Sequence, residues 1–89
     1  MTDITYLAIV KPEEGGFVGD FPDLPGCVSE GETIDETLDM LGDAMGGYLA
    51  AHLNSSKSLP PKNYKRGQKP GLEYDITIPF VLPPGVKPN

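Results

Sequence analysis

The sequence predicts an α+β domain: a three-stranded antiparallel meander, one helix and one further strand, in the order β-β-β-α-β. Three observations carry this. Two runs of β-branched and aromatic residues flank the turn signal Glu13-Glu14-Gly15-Gly16. Apolar residues recur every three to four positions behind a capping box at Thr33. Residues 74–78 then alternate as a half-buried strand does. A chain of 89 residues has room for one small domain and buries only about 60–65% of its unfolded surface.

The elements follow in order. Residues 4–10 read as a strand that is apolar on both faces, hence not an exposed edge, and that stops at Lys11-Pro12. Phe17 to Phe21 form a second strand, joined to the first by a hairpin. Pro22-Asp23-Leu24-Pro25-Gly26 interrupts the ladder, because two prolines remove donors and fix φ. Residues 27–29 make a short third strand. The helix starts at N-cap Thr33 with Glu36 at the third helical position. Ile34, Leu38, Leu41, Met45, Tyr48 and then Leu49 or His52 supply its apolar stripe, and it ends near Leu53 or Asn54. Residues 54–71 are polar and proline-rich, a long connection expected to be mobile. A last strand at 74–78 closes at Pro79, so the domain spans 1–82, with 83–89 an extended Pro-rich tail.

Charge is unevenly placed. The net charge is −6, but residues 1–43 carry −10 and residues 44–89 carry +4. An acidic half repels nucleic acid and favours a basic partner. No run of 18 apolar residues is present, which excludes a membrane-spanning helix, and the N-terminus lacks a secretory pattern. With a single cysteine, Cys27, no internal disulfide forms; a reduced, cytoplasmic protein is expected.

The helix changes character midway. Asp35, Asp39 and Asp43 lie at i, i+4 and i+8 on one face. Like charges at that spacing cost about 0.2–0.5 kcal/mol per pair, so a retained stripe points toward a basic partner. Residues 44–53 carry no Asp, Glu, Lys or Arg. A turn that is apolar or small all round is normally covered on more than one side. Self-association through Met45, Gly46, Gly47, Tyr48 and Leu49 is therefore expected. Gly46-Gly47 costs about 1 kcal/mol per glycine relative to alanine, which fits close approach of another backbone.

Catalytic signals are weak. His52 is the only histidine and Cys27 the only thiol, with no metal-ligand spacing and no local base, so no metal or cofactor is expected. Cys27 reads as a buried structural residue. Asp20, Asp23, Glu30 and Glu32 flank the third strand, and four carboxylates at strand ends suit two-metal nuclease chemistry. Asp23 is also a routine turn residue, and Glu30 and Glu32 stand just before a helix start, where acids are common.

Tyr6-x-Ala8, then Glu14-Gly15-Gly16-Phe17-x-x-Asp20-Phe21-Pro22-Asp23-Leu24-Pro25-Gly26-Cys27-x-Ser29-x-Gly31-Glu32-Thr33-x-x-Glu36, with Leu59-Pro60 after the helix, resembles the HicB antitoxin family over residues 4–62. The resemblance implies a partial ribonuclease H-like fold without the full catalytic carboxylate set, and no enzymatic activity. It implies binding to a small basic HicA-like toxin that cleaves messenger RNA, and dimers or higher oligomers. Many members add a C-terminal DNA-binding domain; the nine residues after Phe80 include Pro83, Pro84 and Pro88 and fit none, so direct DNA binding is not expected.

The expected toxin contacts are Asp20, Asp23, Glu30, Glu32, Asp35, Asp39 and Asp43, acting as a phosphate mimic against an RNA-binding surface. An orphan binding module without a toxin, and a metal-dependent nuclease on the same fold, are the alternatives.

Overall fold

The computed structural model describes residues 1–88. Its elements are β1 (Thr2–Glu13), β2 (Gly16–Asp20), β3 (Val28–Gly31), α1 (Ile34–Leu53) and β4 (Leu72–Phe80). They form one antiparallel sheet in the order β3-β2-β1-β4, the expected α+β arrangement. β1 is central, as its two-sided apolar pattern requires. Its partners are Ile9 with Asp20 on one side and Ile9 with Glu73 on the other.

Two prolines that should close strands lie inside them. Pro12 pairs with Phe17 near the hairpin, where Gly15 turns at φ +82°. Pro79 pairs with Asp3 in β4. β4 lies at the sheet's edge, where the missing N–H can face outward. Both strands therefore run longer than local composition suggests.

Alternation along β1 sets the core. Ile4, Tyr6, Ala8 and Val10 are buried on the face that carries α1. Thr37, Leu41, Met45 and Leu49 of the helix meet them. Gly19 of β2 lets the helix sit close, since a Cβ there would lie 2.5 Å from Leu41 Cδ1. The helix start is as read from sequence. Thr33 Oγ1 accepts from Glu36 N at 3.0 Å, while Glu36 Oε1 accepts from Glu32 N at 3.2 Å.

The proline-rich loop between β2 and β3 is a folded plug. Phe21, Leu24 and Cys27 all point into the core. Leu24 N donates to Phe21 O and Cys27 N to Leu24 O, both at 3.0 Å. Burial also pushes the Cys27 thiol up from its ordinary value, which keeps it protonated and unreactive.

The connection at 54–71 is not loose. Leu59 and Pro60 are buried, and Tyr6 Oη donates to Pro60 O at 2.6 Å. Asp23 Oδ1 accepts from both Asn63 N and Tyr64 N at 2.9 Å. Gly71, at φ +126°, lies against Ile9 and covers it from the face opposite the helix. Scattered anchors, 40 to 54 residues apart in sequence, take the place of regular structure there. Asp23→Ala should cost about 1–2 kcal/mol in urea unfolding, with faster hydrogen exchange at the amides of Asn63 and Tyr64. An unaltered exchange rate at those two amides would show that Asp23 does not hold the segment.

After β4 the chain turns again, with Val86 N donating to Pro83 O at 3.1 Å, and Leu82 and Val86 pack on the core's margin. Among the described residues no helix is long and apolar enough to cross a membrane.

Candidate functional site

The structure divides the seven acids expected to face a partner into separate places. Asp35, Asp39 and Asp43 are exposed on α1. Asp39 and Asp43 form one wall of an open groove of about 640 Å³, with Gly42 and Gly46 beside them and residues 75–79 of β4 opposite. The stripe seen in sequence is thus set along the sheet's outer edge. Among the described residues none of its three acids has an ion pair. Asp75, on the strand, does: Arg66 Nη2 lies 2.6 Å from its Oδ2 and 2.7 Å from its Oδ1.

Glu30 and Glu32 lie elsewhere, around the β1–β2 turn, in a cavity of about 380 Å³. Sequence reasoning missed their companions there, Glu13 and Glu14. The antiparallel register was the available signal: Glu13 pairs with Gly16, and the next residue along β2, Phe17, pairs with Gly31. The Glu30 carboxyl, through a hydrogen bond and its like charge, raises Glu13 above the ordinary 4.5. Asp20 is exposed at the far end of β2, paired with Val28. Asp23 is held by the connection, as described above.

Asp20, Asp23, Glu30 and Glu32 therefore do not converge. Among the described residues there is no group of three or more His, Cys, Asp or Glu that could hold a metal ion. His52 sits at the helix end, stacked on Tyr48 with ring centroids 6.5 Å apart, its Nε2 3.0 Å from Ser58 O.

The self-association set needs correction. Met45 and Leu49 are fully buried within the chain itself. The sheet, the β2–β3 loop and Leu59 cover one side of the uncharged half of the helix, while Gly47, Ala50 and Ala51 stay exposed. Gly46 and Tyr48 are half-buried and Gly47 is exposed. A Cβ at Gly47 would meet nothing within 4 Å, so no neighbouring backbone within the chain explains that glycine.

The connection carries a pH-sensitive contact. Glu73 Oε2 accepts from Gly67 N at 2.8 Å and from Tyr64 Oη at 2.9 Å. These bonds, with the Arg66 charge, hold the Glu73 carboxyl below its ordinary 4.5. A depressed carboxylate contributes to the fold above the unfolded value and loses that contribution as pH falls through the depressed one. The amide signals of Gly67 and Lys69 should therefore shift with a midpoint below 4.5. Movement between pH 5 and 7 would contradict the assignment.

A family model described as HicB-like antitoxin of bacterial toxin–antitoxin systems matches residues 6–82. The chain belongs to the HicB-like antitoxin family. Among its relatives, a UPF0150 protein of Synechocystis sp. is 36% identical over 58 residues, 64% of this chain and 80% of the relative. A UPF0150 protein of Thermoplasma acidophilum is 33% identical over 57 residues, 64% of this chain and 83% of the relative. Antitoxin HicB 1 of Photorhabdus laumondii is 30% identical over 59 residues, 65% of this chain but only 38% of that protein's length.

Within this HicB-like chain, the family-like stretch from Phe21 to Cys27 builds core and anchors the connection. Its specificity as a motif is structural: three residues point inward, Gly26 turns at φ +86°, and Asp23 reaches out to bind backbone.

Proposed function

We propose that this HicB-like chain is an antitoxin that binds and neutralises a small basic, messenger-RNA-cleaving HicA-like toxin in the cytoplasm. The observation that carries the reading is family membership over residues 6–82, and the exposed acids of α1 support it. A protein that grips RNA presents a basic surface. Asp35, Asp39 and Asp43 are exposed and, among the described residues, without an ion pair, and offer the complementary charge. Glu30 and Glu32 form a second acidic area, with Asp20 apart from both. Charge of this kind accelerates encounter, while apolar burial supplies more of the lasting affinity. The role asks for no catalysis by this chain and no DNA contact.

A second copy is also a partner in this reading. Gly46, Gly47 and Tyr48 are what the later half of α1 leaves for it, since Met45 and Leu49 are enclosed. Light scattering at high concentration tests this, and a monomer throughout would refute it.

The deciding experiment is co-expression with any small basic reading frame encoded beside the gene. Stoichiometric capture of that product, with loss of its RNA cleavage, is expected. Failure of capture would leave an orphan binding module. Metal-dependent cleavage by this chain alone would overturn the reading.

A further inference from the structure

We propose that the free edge of β4, together with the acidic side of α1, is a docking groove for an extended basic segment of another protein. The segment adds as a fifth strand. The identity of the partner as the toxin rests on the function proposed above; the chemistry of the groove does not.

Among the described residues nothing pairs with the outer edge of β4. Two observations show which backbone groups face that way. Thr5 Oγ1 and Thr77 Oγ1 meet at 2.7 Å across β1 and β4. Such close side chains mark a non-hydrogen-bonded pair, whose own N–H and C=O point away from each other. Thr77 therefore directs its backbone outward. Pro79, two residues on, lacks an N–H and is accommodated in an edge strand only in that same orientation. By alternation Asp75 also presents its N–H and C=O to the edge, giving a ladder for an incoming strand.

The groove wall sets the chemistry of that strand. On the helix side, Gly42 and Gly46 line the floor beside Ile78; a Cβ at either would come into van der Waals contact with that side chain, at 3.7 Å. Asp39 and Asp43 rise beside them, exposed. On the opposite face Asp75 is already neutralised by Arg66. A strand here sends alternate side chains toward α1, where lysine or arginine meets the two free carboxylates. Charge complementarity thus selects a basic segment.

A second copy of this chain fits worse. A two-fold contact sets each patch against itself. It would oppose Asp39 and Asp43 to their own counterparts and place Pro79, without its N–H, on both sides of the ladder.

The test uses the whole chain and a capped decapeptide of alternating lysine and valine, with an alternating glutamate and valine peptide as control. Amide shifts are followed by NMR. The lysine peptide should perturb and protect the amides of Asp75 and Thr77, and the glutamate peptide should not. Thr77→Pro, which removes one outward N–H, should weaken binding about threefold to tenfold. The Asp39→Lys/Asp43→Lys variant should weaken it about tenfold at low salt, and clearly more than Glu30→Lys/Glu32→Lys, which changes the net charge equally but lies away from the groove. Perturbation at the β1–β2 turn instead of β4, indifference to both variants, or protection of β4 that grows with protein concentration and needs no peptide would each overturn the proposal. If the lysine peptide binds β4 but the neighbouring gene product is not captured, the groove stands and the antitoxin reading fails. If that product is captured equally by wild type, Thr77→Pro and Asp39→Lys/Asp43→Lys, the reading stands and the groove fails.

Discussion

Gly31→Ala should lower stability by about 3 kcal/mol and the Tm by about 15 °C. Gly31 closes β3, and the first turn of α1 is seated directly on it. A methyl group there would lie 2.8 Å from both Thr37 N and Thr37 Oγ1, and 3.1 Å from the Glu36 carbonyl carbon. None of these atoms has room to yield. Thr37 is fully buried, and its hydroxyl donates to Thr33 O at 2.7 Å. The substitution must lift the helix start from the sheet, unseating Leu41 from Gly19 as well. Gly47→Ala is the matched control. That position is exposed in mid-helix with nothing within 4 Å of the new methyl, so it should gain about 0.5–1 kcal/mol. Urea and thermal unfolding check both signs. An unchanged Tm for Gly31→Ala would show that the helix does not sit on β3 as described.

The combined Asp35→Lys, Asp39→Lys and Asp43→Lys variant should slow association with the basic partner about tenfold to a hundredfold at low salt. Rates for wild type and variant should converge near 1 M salt, where the screening length falls to about 3 Å. Each reversal adds two positive charges, so the net charge rises from −6 to zero. The fold should survive, because all three residues are exposed and lysines at the same spacing repel no more than aspartates. The reversal of Asp35, in the first helical turn, should cost about 0.5–1 kcal/mol through the helix dipole. Stopped-flow mixing against salt reads the effect. A larger loss from Glu30→Lys/Glu32→Lys would move the interface to the β1–β2 turn. Unaltered kinetics in both would remove charge from the account of binding.

Much of the fold was legible because it is written locally. Thr33 and Glu36 announce the helix start through side chains that bond backbone within four residues. The apolar pattern of residues 4–10 places β1 inside the sheet, since only an interior strand needs both faces dry. The stretch from Phe21 to Cys27 reads as a break in the ladder because two prolines forbid pairing. The candidate site was legible as residue type but not as surface. Asp35, Asp39 and Asp43 share a side of α1 by helical period alone. Glu13 joining Glu30 depends on a cross-strand register that no local pattern states.

The order of the elements, the inward face of each, the helix start and the acidic stripe along it are all written in local patterns of residues. Periodicity reports which residues must leave water, and caps and prolines report where regular hydrogen bonding stops. Only the tertiary structure decided what covers each inward face. Met45 and Leu49 looked available to a second copy until the sheet and Leu59 enclosed them. That β4 runs antiparallel to β1 on the edge away from β3 is likewise a property of the assembled sheet. That direction follows from the path of residues 54–71, held by Tyr6, Asp23 and Glu73. Such anchors join residues six to fifty-four positions apart. Their free energy appears only when the chain has already brought them together, so no window of sequence contains it.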